Sequence, residues 1–193
     1  MIDYFALLNE PRRPWLDEEE LKSKFFALSS GVHPDRAHTL AETEKRAANE
    51  RYADLNAAYQ CLRDPKQRLR HLLELATGEP PAKVKEVPGE VVDLFFQIGV
   101  VCRKADEFLR RKTATTSPVI LAGLFEEGQA ISEQLINLRG KVLSGQKKHL
   151  DELRAMSEDW SQSLAVIEAI YNALGYLTRW SAQLQERIVQ LAL

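Results

Sequence analysis

Apolar residues recur along this chain at intervals of three and four, and no stretch alternates with period two. The pattern predicts helices throughout and no strand. Tyr4, Leu7 and Leu8 share one side of a short opening helix, which Pro11 and Pro14 end. Asp17 is placed to cap a second helix. Glu20, three residues on, completes a capping box, and Leu16 and Leu21 flank the cap as a hydrophobic staple. Leu21, Phe25 and Leu28 then follow at i, i+4, i+7, and Gly31 stops the stripe. The next seam is Ala48, Tyr52, Leu55, Tyr59 and Leu62, narrow enough to pair antiparallel with the second helix. Asp64-Pro65 closes it and opens a fourth helix, with Asp64 as cap, Pro65 in the first position and Gln67 in the third. Leu69, Leu72 and Leu73 make its apolar side.

Beyond this point the helices lengthen. Gly78-Glu79-Pro80-Pro81 and Pro88-Gly89 read as a linker, because paired prolines disfavour helix. The expected division is 1–76, a linker over 77–89, and 90–193. In the last part Val91, Phe95, Ile98, Cys102, Ala105 and Leu109 share a helix face. Thr113–Pro118 is a second break. Ile120, Leu124, Ile131, Leu135, Leu138, Val142 and Leu153 line another helix, with Gly128, Gly140 and Gly145 as weak points. A third starts at a Ser157 cap and carries Trp160, Leu164, Ile167, Tyr171, Leu174, Leu184, Ile188 and Leu191. Three helices with such spacing predict an antiparallel bundle. The fold class is therefore all-α: a helical hairpin with two short flanking helices, then a three-helix bundle.

Charge and cysteine usage narrow the function. The 193 residues carry 26 Lys+Arg against 28 Asp+Glu, a net charge of -2, which argues against a basic field for nucleic acid or anionic membrane. Cys61 and Cys102 are too few for a disulfide framework or a four-cysteine zinc site, and read as core thiols. The start shows no basic stretch followed by an apolar one, so no signal peptide is expected, and no run approaches a membrane span. A cytoplasmic location is expected. No nucleophile constellation, phosphate loop or paired catalytic carboxylate stands out, so an enzyme is not expected, nor a cofactor.

The chemistry concentrates in His33-Pro34-Asp35, between the second and third predicted helices. Pro34 fixes its own φ and restricts His33 to extended geometry, which lowers the ordering cost of binding. Asp35 presents an anion. A metal trio of His33, Asp35 and His38 with His71 matches no regular zinc spacing. The motif in this setting, with Asp3-Tyr4-Phe5-Ala6-Leu7-Leu8 before it and Leu55-Asn56-Ala57-Ala58-Tyr59-Gln60-Cys61-Leu62-Arg63-Asp64-Pro65 after it, resembles a J-domain over residues 3–75. The short linker and helical bundle that follow make the whole chain similar to the HscB family. Arg68, Leu72 and Leu73 match that family's fourth helix, and Ser157-Glu158-Asp159-Trp160 and Ala182-Gln183-Leu184-Gln185-Glu186-Arg187 its last.

The resemblance implies a co-chaperone. Its J-domain would stimulate a DnaK-type heat-shock ATPase through His33, Pro34 and Asp35, with Arg36, Lys22 and Lys24 supplying positive charge. Its bundle would deliver an iron–sulfur cluster scaffold protein. The family binds that client through a hydrophobic patch edged by acids. Here Val92, Phe96 and Val100 form an apolar stripe roughly opposite the bundle face, and the acids are missing. The stripe is expected either to pack on the J-domain or to hold the client. The alternative function is a helical assembly module whose J-like hairpin stimulates nothing.

Overall fold

The computed structural model describes residues 2–32, 41–82, 87–156 and 160–192. Among them lie seven α-helices and no strand: α1 (Tyr4–Leu7), α2 (Glu18–Ser30), α3 (Glu42–Arg63), α4 (Pro65–Thr77), α5 (Val92–Thr113), α6 (Pro118–Ala155) and α7 (Leu164–Ala192). Short 3-10 turns precede α5 (Gly89–Val91) and α7 (Trp160–Ser163).

The helix starts follow from local chemistry. Asp3 caps α1, accepting the N–H of Phe5 at 3.0 Å and of Ala6 at 3.2 Å. Asp17 accepts the N–H groups of Glu19 and Glu20, each at 3.0 Å, and so starts α2 where the sequence predicts. Asp64 accepts the Gln67 N–H at 2.8 Å, with Pro65 in the first turn of α4. Gly78, at φ +83°, ends that helix and donates to the Glu74 carbonyl. Only glycine adopts that left-handed conformation without strain.

Contacts divide the chain into two units. The first comprises Met1–Ala82 together with Leu150–Tyr171. Phe5, Leu8, Leu16, Leu21, Phe25, Leu55, Ala58, Leu62 and Leu72 form its buried core, and the Phe25 ring stacks on Tyr59 with centroids 4.5 Å apart. Phe5 and Leu8 are the buried residues of the opening segment, whereas Tyr4 and Leu7 are only partly covered. A four-residue helix has too few turns for spacing to reveal its inner side. This unit is discontinuous in sequence, unlike the expected 1–76. Trp160 packs against its core and donates Nε1–H to the Arg12 carbonyl at 2.6 Å. The Arg154 guanidinium lies 5.1 Å from the Trp15 ring centre, and the Lys66 ammonium 6.0 Å from that of Tyr171.

The second unit comprises Lys83–His149 and Asn172–Leu193. Its pairings show antiparallel α5 and α6: Gln97 meets Lys141, Phe108 meets Gly128, and Arg111 meets Glu127. Helices α5 and α7 run parallel, as Phe95 meets Trp180, Asp106 meets Arg187 and Lys112 meets the Leu191 carbonyl. The core holds Val91, Ile98, Ala105, Phe108, Ile131, Leu135, Leu138, Val142, Leu177, Trp180 and Leu184.

Three expectations differ in the structure. Phe108, not Leu109, is the buried residue near the end of α5, and Phe95 is half-exposed beside Trp180. Val91 lies in the 3-10 turn, so counting four residues from it to Phe95 misplaces the α-helical face. Ile120 is exposed, because the inward row of α6 runs back from Ile131 through Gly128 to Leu124 and is not continued into the first turn, where Leu121 is exposed as well. The glycines do not interrupt α6. A β-carbon at Gly128 would lie 2.8 Å from Cζ of Phe108, so this glycine is a packing site. Gly128→Ala is expected to destabilise the second unit by about 1–3 kcal/mol in a urea melt, as overpacking does. Phe108→Leu in the same chain should recover much of that loss.

Candidate functional site

The hairpin of α2 and α3 brackets residues 33–40, and α2 is the element that leads into them. His33, Pro34, Asp35, Arg36 and His38 lie outside the described residues. The two lysines assigned to the same surface are described, and both are engaged. Lys22 is exposed and sits 3.4 Å from Glu19, one turn back. Lys24 turns the other way: its ammonium lies 2.9 Å from Oε1 of Glu10, whose carboxylate is buried, and 3.4 Å from the Asn9 carbonyl. A buried carboxylate without a cation is costly, so this pair anchors the segment after α1 to α2. Sequence spacing alone gave no sign of it, since Glu10 and Lys24 are fourteen residues apart.

Behind this face, α4 supplies two buried polar side chains. The Arg68 guanidinium donates to the Pro14 carbonyl at 2.9 Å and to the Leu62 carbonyl at 2.6 Å. Burial pushes its pKa down to about 10, still well above neutral, so it stays charged. His71 accepts the Tyr4 N–H on Nε2 at 3.1 Å. Burial, the largest influence, lowers its pKa and keeps the ring neutral, as an acceptor must be. Burial would by itself raise the Asp3 carboxyl, but the Arg12 fork and the N–H groups of Ala6 and Phe5 hold it below the usual range. Among the described residues no group of three or more His, Cys, Asp or Glu is arranged to hold a metal.

The bundle carries a separate surface. Phe96 and Val100 on α5, with Val101, Gln97 and the α6 residues Gln134, Asn137, Leu138 and Lys141, line a groove of about 460 Å³. Phe96 is 64% exposed and Val100 44%, while Val92 is partly covered. The rim holds amides and Lys141, which donates to Gln97 Oε1 at 3.1 Å, and no carboxylate.

Residues 3–71 match the DnaJ domain family model. A stretch of 74 residues is 40% identical to a co-chaperone protein HscB homologue from Azoarcus sp. (strain BH72), 38% of this chain and 42% of that protein. A homologue of the same description from Bordetella pertussis is 42% identical over 74 residues, 38% of this chain and 44% of that one. The chain thus aligns with less than half the length of the curated relatives it matches. Among solved structures, chaperone HscB from Vibrio cholerae superposes with a TM-score of 0.63 at 22% identity, covering 96% of each chain. Human co-chaperone protein HscB gives 0.64 at 20% identity, covering 96% of this chain and 82% of that one. Residues 3–71 are a J-domain, and the chain as a whole has the fold of the HscB structures.

The family match is confined to residues 3–71, and likeness over the bundle is one of fold. Of the residues read from the sequence, Lys22 and Lys24 share α2 but not a role: Lys24 is tied to Glu10. Phe96 and Val100 line one groove without Val92, and α6 adds Leu138 and Lys141, which the helical wheel of α5 could not show. No helix among the described residues is long and apolar enough to cross a membrane.

His71 gives the J-domain a pH dependence whose sign is fixed. Its folded pKa lies below the ordinary 6.5, so the unfolded chain binds the proton more readily. The His71 contribution is complete above pH 6.5 and is lost as pH falls below that value through the folded pKa. Urea melts at pH 7.5, 6 and 5 are expected to show stability declining over that range. In His71→Gln, whose amide oxygen can still accept the Tyr4 N–H, the decline should flatten. Asp3 acts only at lower pH, because its folded pKa is below 3.8.

Proposed function

We propose that this protein is a co-chaperone that stimulates a DnaK-type heat-shock ATPase and presents it with a client, an iron–sulfur cluster scaffold protein, in the cytoplasm. It acts on an ATPase and is not one. The observation that supports this most is the J-domain: His33-Pro34-Asp35 falls in sequence between α2 and α3, within residues 3–71 that match the DnaJ domain family model. His33, Pro34 and Asp35 meet the ATPase. Arg36 and Lys22 lend positive charge, and Lys24, paired with Glu10, contributes mainly by holding α2 in place. The proposed division of labour gives the ATPase to the J-domain within 1–76 and the client to the part of 90–193 that lies in the second unit, with 77–89 as linker.

The direct experiment is single-turnover ATP hydrolysis by each DnaK-type ATPase of the source organism, with and without the full chain. The reading requires that at least one is accelerated. If none is, the co-chaperone assignment fails and the helical assembly module stands.

Val92, Phe96 and Val100 are the proposed client contact, supported by the exposure of Phe96 and Val100 and the groove beside them. Client chemistry differs from a patch edged by acids, because the rim here is amide and lysine. Phe96→Ser is expected to leave the melt within about 1 kcal/mol, as exposed substitutions do. It should weaken capture of the organism's iron–sulfur scaffold by about tenfold or more. Phe96→Ser with unchanged capture would remove Phe96 from the site.

A further inference from the structure

Helix α2 presents an aromatic ring to solvent where a steering helix would carry charge. Phe26 is 59% exposed. It lies one turn after Lys22 and seven residues before His33, on the helix that leads into the motif. Its neighbour Phe25 is buried and stacked on Tyr59, and the two phenyl rings sit 5.5 Å apart at 52°. The ring therefore rises from a helix that the core holds firmly. Apart from Lys22 one turn back, the residues around it on that face are small: Ser23, Ala27 and Ser30, whose hydroxyl donates back to the Ala27 carbonyl at 3.0 Å.

The electrostatics of α2 point the same way. Glu18, Glu19 and Glu20 outnumber its two lysines. Lys22 lies against Glu19, and Lys24 is spent on buried Glu10. Little positive field is left to draw an acidic surface. The same three acids disfavour an anionic lipid surface as the occupant.

We propose that Phe26 is an apolar anchor through which α2 docks on the DnaK-type ATPase, replacing charge steering by burial of an aromatic ring. The proposal rests on the co-chaperone reading above. A rigid, exposed phenylalanine loses little side-chain freedom on binding and gains by leaving water. The partner must then offer an apolar contact opposite the ring, and partners that present only acids there are bound poorly. Phe26 thereby selects among ATPases.

The test uses the full chain, the ATPase that it accelerates, and four proteins: wild type, Phe26→Ala, Phe26→Leu and Asp35→Asn. Half-stimulating concentration for wild type is expected to change by less than about twofold between 50 and 300 mM KCl, since long-range steering by α2 contributes little and a close pair at Asp35 that excludes water is weakly screened. Phe26→Ala should raise that concentration about tenfold, and Phe26→Leu should recover part of the loss. Circular dichroism melts should show all four folded alike. Phe26→Ala stimulating like wild type, while Asp35→Asn does not, would overturn the anchor and leave the co-chaperone reading intact. Asp35→Asn stimulating fully would overturn both. A strong loss of wild-type stimulation with salt would return the role to the lysines and overturn the anchor. A wild-type dimer that Phe26→Ala turns into a monomer would give the face to a second copy, with the same consequence.

Discussion

Asp35→Asn is expected to abolish stimulation of the ATPase while the protein remains folded. The substitution keeps the size of the side chain and removes its charge. A hydrogen bond to a charged partner is worth about 1.5–3 kcal/mol, so losing the charge lowers productive binding roughly 10- to 100-fold. Among the described residues, the helices on either side start on the Asp17 cap and the Ala41–Glu44 contact. His33→Gln should behave in the same way. Single-turnover kinetics beside a urea melt check both halves of the expectation. Full stimulation by either variant would sink the co-chaperone reading, and a collapsed melt would make the motif structural.

Arg68→Ala should have the opposite profile: a large loss of stability from a residue that touches no partner. The Arg68 guanidinium is buried and ties two carbonyls, of Pro14 before α2 and Leu62 near the end of α3, onto α4. Removing it strands both oxygens and leaves the space of a long side chain. Two hydrogen bonds from a charged donor, less what water recovers, come to about 3–5 kcal/mol. That is a large share of the stability of a typical domain. Arg68→Lys keeps one donor and the charge but loses the fork, so it should fall between. The measurement is a urea melt followed at a J-domain signal. A shift below about 1 kcal/mol for Arg68→Ala would mean that water replaces the guanidinium at both carbonyls.

How far the sequence foretold these results depended on the range of the interaction. Asp17, Asp64-Pro65 and Gly78 act on their own neighbours, and the helix ends they set follow from the sequence. The Phe25, Leu55 and Leu62 seam also follows, because long helices average out errors of phase. Phe108 against Leu109 was illegible for the converse reason: neighbouring residues on a helix are about a hundred degrees apart, and the face depends on where the first turn begins. Lys24 reads from the sequence as positive charge offered to the ATPase, and only the fold brings Glu10 beside it. Trp160 belongs to the J-domain core only because the chain returns there after a long excursion, which no local pattern announces.

That excursion has a cost during translation. The first unit needs Met1–Ala82 and also Leu150–Tyr171, so its closing tryptophan is synthesised well after the hairpin. At about 5–20 residues per second, the ribosome takes several seconds to reach it. During that interval the nascent J-domain lacks Trp160 over its core and Arg154 over Trp15. Apolar surface bared on a tethered, growing chain is what heat-shock chaperones capture. The unfinished protein thus offers itself as a substrate to the class of machine that, once complete, it is proposed to activate.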